Sequence, residues 1–225
     1  EQYEYNKFSG GQKFYWQGDF ENTEYILCVG SNLFDANYGP SNRNARLIPR
    51  LTEGKTKMTV VDPRFNKAAA KANNYLPIKP GTDAAFFGGI LQWMLKNKKF
   101  DAKYLANANK ASATAVKEPT WTNAVLLVKL DKDGKPGKFL RAQDIGLAQV
   151  EKRTDKSGKE HNFEHLVAMK DGKPVAVDPN DEKNAVTGDL FVDTEINGIK
   201  VKSGLQIILE SSSSKSMDEW SKLCG

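Results

Sequence analysis

Glu24-Tyr-Ile-Leu-Cys-Val-Gly-Ser-Asn32 is the stretch that decides the fold. It is an apolar run of strand length that stops on a small, polar turn. Two stretches downstream repeat the arrangement. Met58-Thr-Val-Val-Asp-Pro-Arg64 is a β-branched run ending on an acid, and residues 75–78 lead into Lys79-Pro-Gly-Thr-Asp83. Each turn opens toward a segment of helical character. Strand, turn and helix in alternation predict an α/β fold: a Rossmann-like parallel sheet with helices on both faces and, further on, a turn-rich β insertion. The three turns then lie at the carboxyl ends of successive strands, along one edge of one sheet.

Working outward, residues 1–23 are polar and aromatic, broken at Gly10, Gly11 and Gly18, and read as an irregular lead-in. A helix is expected over residues 40–51, with Pro40 near its start and Leu47, Ile48 and Leu51 on one side. Pro49 predicts that it kinks or ends early. Residues 64–73 are Ala-rich and predict a helix by propensity. Over residues 83–96 Phe87, Ile90, Leu91 and Met94 recur at helical spacing and predict one buried face, with Thr82 or Asp83 as N-cap. A short helix over residues 101–107 follows, and residues 24–110 make up the core.

Beyond it the rhythm changes. Residues 111–203 are charged and turn-rich, with strand-like residues 124–129 and turn signals at Asp131-Lys-Asp-Gly-Lys135, Asp171-Gly172 and Asn197-Gly198. Residues 204–225 read as a return to the core. Residues 204–210 are apolar and fit either strand or helix, and Ser216 with Glu219 forms a capping box that opens an exit helix. That helix stops after about two turns, and the sequence opens on Glu1 rather than Met. Both features predict a segment of a longer protein.

Composition narrows the function classes. Lys and Arg number 33 against 28 Asp and Glu, a net charge of +5. The lysines scatter through polar loops such as residues 129–138 and 152–159, without the basic stripe and interleaved aromatics of a nucleic-acid binder. No apolar run approaches the ~20 residues that span a bilayer. Cys28 lies in the first strand and Cys224 beside the carboxyl end, with no C-x-x-C pair. The chain's cysteines therefore build no zinc or iron–sulfur site, and the redox compartment stays open. His161 and His165 fall in a Lys/Glu-rich stretch with no third ligand nearby and read as loop residues.

The strand-end turns carry the chemistry. Gly30 lets backbone approach a phosphate, and Ser31 and Asn32 add short donors. Asp62 stands where dinucleotide folds place the carboxylate that accepts from both hydroxyls of a ribose. Arg64 suits a phosphate or a purine face. Asp83 suits guanine, whose edge offers two N–H donors where adenine does not. Each residue also has a purely structural reading: an ordinary strand-to-helix turn at Gly30, an N-cap before Pro63 at Asp62, and a cap at Asp83. Together the three turns point to a nucleotide. Gly30-Ser-Asn-Leu-Phe-Asp35 has a single glycine where a nicotinamide enzyme has G-x-G-x-x-G, which counts against NAD and FAD.

At these residues the chain resembles the catalytic subunits of the molybdopterin oxidoreductases of the dimethyl-sulfoxide-reductase type. The resemblance rests on Gly30, Ser31 and Asn32, then Asp62, Pro63 and Arg64, then Gly81, Thr82 and Asp83. It continues through Phe100-Asp-Ala-Lys-Tyr-Leu-Ala-Asn107, Phe139-Leu-Arg-Ala-Gln-Asp144, Gly188-Asp-Leu-Phe191, Gly198-Ile-Lys-Val-Lys202 and Met217-Asp-Glu-Trp220 with Cys224. What the resemblance implies is a domain that holds one guanosine arm of bis-molybdopterin guanine dinucleotide through those nine residues. It implies no catalytic residue and no metal ligand within this chain. The 4Fe–4S cysteines and the molybdenum ligand would lie in other parts of a parent subunit. Its implied partners are the remaining parent domains, a membrane anchor and an iron–sulfur electron-transfer subunit, in the periplasm. Within the family the details are most similar to the tetrathionate reductases, which cleave tetrathionate to two thiosulfates, with the arsenate and polysulfide reductases close behind. This segment alone is expected to be inactive. A plain NAD- or nucleotide-binding Rossmann domain and a purely structural α/β module are the alternatives.

Overall fold

The computed structural model describes residues 18–35, 42–155 and 157–225. Most of the expected lead-in, and Pro40, lie outside the described residues. The chain divides into two compact units: the described residues up to Ala85 with Ser221–Gly225, and Phe86–Trp220.

In the first unit β1 (Tyr25–Val29), β2 (Lys57–Val61) and β3 (Asn74–Leu76) form a parallel sheet of order β1-β2-β3. Tyr25 pairs with Lys57, and Thr59 with Asn74. Strand residues alternate between faces. Ile26 and Cys28 of β1, Met58 and Val60 of β2 and Tyr75 of β3 gather on one face with Leu33, Leu47, Leu51, Ala68 and Ala69. Leu47 and Leu51 come from α1 (Asn42–Thr52), the crossover between β1 and β2. Pro49 sits inside α1 and does not end it. Beyond it the Glu53 amide donates to the Pro49 carbonyl at 2.9 Å. The helix loses one amide at Pro49, while Leu47 and Leu51, on either side, keep it seated on the sheet.

The Ala-rich segment is not the helix its propensity predicts. Only a 3₁₀ turn, Ala69–Lys71, forms there. Asn66 Oδ1 accepts from the Ala69 amide at 2.9 Å. Asn73 is already committed to β2: its amide donates to the Met58 carbonyl at 2.8 Å, and its side chain accepts from the Met58 amide at 2.8 Å. Ala68 and Ala69 are buried. The alanines serve close packing of a short connection, which overrides intrinsic propensity.

The helix expected over residues 83–96 forms as α2 (Asp83–Lys96). Its buried face differs from the predicted one. Gly89, Gln92 and Leu95 are buried, whereas Phe87 and Leu91 are 42% and 41% exposed. The partner makes the choice. A Cβ at Gly88 would lie 3.2 Å from the Trp220 ring, so the glycines admit the indole. Beside them Gln92 Nε2 donates to the Ser212 and Lys215 carbonyls at 3.1 and 2.7 Å.

In the second unit α3 (Ala102–Leu105) is capped by Asp101. It is followed by α4 (Lys110–Ala115), capped by Asn109, an element with no counterpart in the sequence expectations. The turn-rich region is antiparallel. A four-stranded sheet has β10 (Asp193–Ile196), β11 (Ile199–Ser203), β4 (Leu127–Leu130) and β5 (Pro136–Phe139) in that spatial order. Two ribbons pair β6 (Glu151–Thr154) with β7 (Glu160–Phe163) and β8 (Leu166–Lys170) with β9 (Lys173–Val177). Leu127, Leu140, Val167 and Val201 are fully buried at its centre. Residues 204–210, open between strand and helix, belong to α5 (Gly204–Ser212), capped by Ser203. A further helix, α6 (Met217–Cys224), begins in this unit, and its residues from Ser221 onward belong to the first. Its predicted capping box is formed: the Ser216 amide donates to Glu219 Oε2 at 2.7 Å and the Glu219 amide to Ser216 Oγ at 3.2 Å.

Candidate nucleotide-binding site

Because β1, β2 and β3 are parallel, their carboxyl ends share one edge, where open α/β sheets bind ligands. Hydrogen bonds beyond the strands fasten the first two turns to that edge. The Gly30 amide donates to the Val61 carbonyl at 2.8 Å, and the Asp62 amide to the Leu76 carbonyl at 3.2 Å. Each turn thus hangs on the end of the neighbouring strand.

Gly30 has φ +62°, and among the described residues nothing lies within 4 Å of a Cβ built there, which leaves its backbone open to approach from them. The Ser31 carbonyl accepts from Cys28 Sγ at 3.1 Å. Burial pushes the Cys28 thiol above its ordinary value, and the Asp62 charge adds to the effect, so the thiol keeps its proton. The Ser31 hydroxyl has no hydrogen-bond partner among the described residues. Asn32 Oδ1 is buried and likewise unpartnered. A buried acceptor left in that state costs about 1–3 kcal/mol unless something supplies a donor.

Asp62 first serves its own turn. Oδ1 accepts from the Arg64 amide at 2.8 Å, across Pro63, and Oδ2 accepts from Asn66 Nδ2 at 3.1 Å. The Asp62 carbonyl accepts from the Tyr75 hydroxyl at 2.9 Å. Asn66 and Tyr75 are supports that the sequence reading missed, and no periodic or motif signal marks either. The helix N-cap expected at Asp62 is not formed, because the only helical turn after it is Ala69–Lys71 with Ala68 as its N-cap. Asp62 closes its own turn instead, and each carboxylate oxygen keeps a lone pair for a second donor. The Arg64 guanidinium is exposed and has no side-chain partner among the described residues.

In the third turn Gly81 has φ +79°, and Thr82 Oγ1 donates to the Lys79 carbonyl at 2.7 Å. Asp83, the first residue of α2, is exposed. Among the described residues its carboxylate makes no hydrogen bond and no ion pair. The cap expected from Thr82 or Asp83 reduces to the Thr82 carbonyl, which accepts from the Ala85 amide at 3.0 Å.

Among the described residues the three turns thus offer an open backbone turn, a hydroxyl and a buried acceptor without partners, and two unpaired charges of opposite sign, Arg64 and Asp83. These groups fit a nucleotide: amide and hydroxyl donors and a guanidinium for phosphates, carboxylates for ribose hydroxyls and a base edge.

Comparison with known proteins supplies the family. The molybdopterin oxidoreductase family matches residues 2–197. The chain is 45% identical to a selenate reductase subunit from Mesobacillus selenatarsenatis over 219 residues, 97% of this chain and 20% of that protein. It is 31% identical to a tetrathionate reductase subunit from Archaeoglobus fulgidus over 210 residues, 93% of this chain and 17% of the relative. The formate dehydrogenase-O major subunit of Escherichia coli is 31% identical over 139 residues, 62% of this chain and 12% of the relative. The chain spans a fifth or less of the length of these relatives. With the match running through all three strand-end turns, the chain belongs to the molybdopterin oxidoreductase family.

Proposed function

We propose that this chain is the part of a molybdenum reductase that holds one guanosine arm of bis-molybdopterin guanine dinucleotide. The observation that carries the reading is the sheet edge itself. Turns fixed by the Gly30–Val61 and Asp62–Leu76 bonds sit on it together with charges that have no partner among the described residues. Gly30, Ser31 and Asn32 would meet the phosphates, Asp62 the ribose hydroxyls, Arg64 a phosphate or the purine face, and Asp83 the guanine N–H pair. Pro63, Gly81 and Thr82 shape the turns that present them. The bound group supplies redox chemistry at molybdenum; these residues bind and orient it.

For the parent enzyme we propose reduction of a chalcogen oxyanion. The 45% identity to a selenate reductase subunit favours selenate, taken by two electrons and two protons to selenite and water. Tetrathionate is the second reading, supported by relatives at 31% and 26% identity. From the family resemblance we also propose a membrane anchor, a 4Fe–4S centre elsewhere in the parent, a periplasmic location and an iron–sulfur electron-transfer subunit.

Calorimetric titration of the chain with GDP, ADP and NAD tests the guanosine reading. GDP is expected to bind in preference to both. Asp83→Ala should reduce the GDP-over-ADP preference by about tenfold, the loss of a charge-assisted hydrogen-bond pair. Binding of NAD without GDP would reject the reading.

A further inference from the structure

Lys79 does two jobs in the third turn. Internally, its carbonyl accepts from the Thr82 amide at 3.3 Å and from the Thr82 hydroxyl at 2.7 Å, which closes the turn. Externally, its amide donates to the Cys224 carbonyl at 2.7 Å, and its ammonium donates to the Lys222 carbonyl at 3.3 Å. Its alkyl stem lies against Gly225, where an added Cβ would come within 3.2 Å of Lys79 Cγ. Among the described residues the Lys222 and Cys224 carbonyls of α6 take these hydrogen bonds from Lys79. An amide and an ammonium ion are groups of the right kind and sign to satisfy them.

The first two turns need no such device, because the sheet ladder fixes them. The third lies beyond the ladder: β3 ends at Leu76, before Lys79 is reached. Its external backbone bond goes to the end of α6 instead.

We propose that Lys79 and the last turn of α6 are positioning elements of the candidate site. They set the orientation of the Gly81–Asp83 segment, so the placement of the Asp83 carboxylate depends on a contact between residues 143 positions apart in sequence. The anchoring stands on the geometry alone; its consequence for ligand rests on the guanosine reading above.

The test uses the whole 225-residue chain and two readouts, amide hydrogen exchange by NMR without ligand and GDP titration. In Lys79→Met and in Gly225→Val, exchange at Lys79, Thr82 and Ala85 should speed about tenfold or more, with Gly30 and Asp62 unchanged. GDP affinity should fall by about tenfold in both. Lys79→Arg, which keeps a cationic donor on a long stem, should restore most of each. Unchanged exchange at Thr82 and Ala85 in folded Lys79→Met overturns the proposal, and so does an equal acceleration at Gly30 and Asp62. If Lys79→Met fails to fold, Gly225→Val, at an exposed position, decides by the same criteria. If the unaltered chain takes no GDP, the guanosine reading and the ligand half of this proposal fall together, while the exchange pattern still decides the anchor.

Discussion

The parallel sheet and the antiparallel hairpins fix strand pairing by opposite means. Each hairpin is closed by its own turn. The Asp131 carboxylate accepts from the Asp133 and Lys135 amides at 2.9 and 2.8 Å between β4 and β5. Asp171-Gly172 and Asn197-Gly198 adopt paired left-handed conformations, with φ of 51° and 74° in the first and 50° and 80° in the second. Such turns match the twist of the flanking strands and set register within a few residues. β1, β2 and β3 have no turn joining them directly. Their register comes from side chains meeting on one face, Cys28, Met58 and Val60 against Leu47 of α1. The difference has a functional consequence. A hairpin uses its strand ends to make the turn, whereas a parallel sheet leaves its carboxyl ends free. Gly30 and Asp62 stand on free ends, and Asn197 and Gly198 do not.

The largest effect should therefore come from the packing under the parallel sheet. Leu47 is 0% exposed in the core that α1 shares with β1 and β2. Leu47→Ala is expected to cost about 2–5 kcal/mol, from lost transfer energy and the cavity left behind. Denaturant unfolding measures it. A loss below about 1 kcal/mol would mean that α1 does not hold the sheet in register.

A turn substitution should cost less, because it strains one residue and leaves the core whole. Gly198→Ala forces an L-residue to φ 80°, at a cost of about 1–2 kcal/mol. Unfolding by the same method should show this loss with GDP affinity unchanged. A loss equal to that of Leu47→Ala would reverse the ranking and make turn chemistry the stronger constraint.

The same contrast explains what the sequence revealed. Hairpin turns were legible because Asp-Gly and Asn-Gly encode φ > 0 at fixed positions. The Ser216–Glu219 capping box was legible for the same reason: its chemistry is complete within four residues. The strand ends at Gly30 and Asp62 were legible because a strand followed by a small polar turn is a local pattern. The buried face of α2 was not. Its hydrophobic period pointed to Phe87 and Leu91, but the packing partner is Trp220, and only Gly88 and Gly89 let it approach. The segment after Arg64 was misread because alanine has one propensity and two uses, and burial of Ala68 and Ala69 decided between them. The Lys79 anchor had no signal at all. A backbone carbonyl at Cys224 has no side-chain identity to read, and its partner lies far away in sequence.

The smallest effect concerns a second kind of local closure, an ion pair beside the β4–β5 hairpin. Lys129 Nζ lies 2.9 Å from Asp144 Oδ2, and that carboxylate also accepts from the Arg141 amide at 3.1 Å. The Lys129 hydrogen bond holds the Asp144 carboxyl below its ordinary value, with the Arg141 amide and both neighbouring charges helping against partial burial. A carboxyl depressed in the folded state binds its proton more readily when unfolded. Its stabilisation is therefore full above the unfolded value, near 3.8, and is lost as pH falls through the lower folded value. Both side chains are about one-third exposed, so solvent screening limits the effect to about 0.5–1 kcal/mol. Asp144→Asn should lower the urea midpoint at neutral pH and flatten the acid limb, with the two proteins converging once Asp144 is protonated in both states. A gap that stayed constant down to strong acid would assign the loss to the hydrogen bonds rather than the charge. The closure beside this hairpin would then be as insensitive to pH as the ladder that holds Gly30 and Asp62.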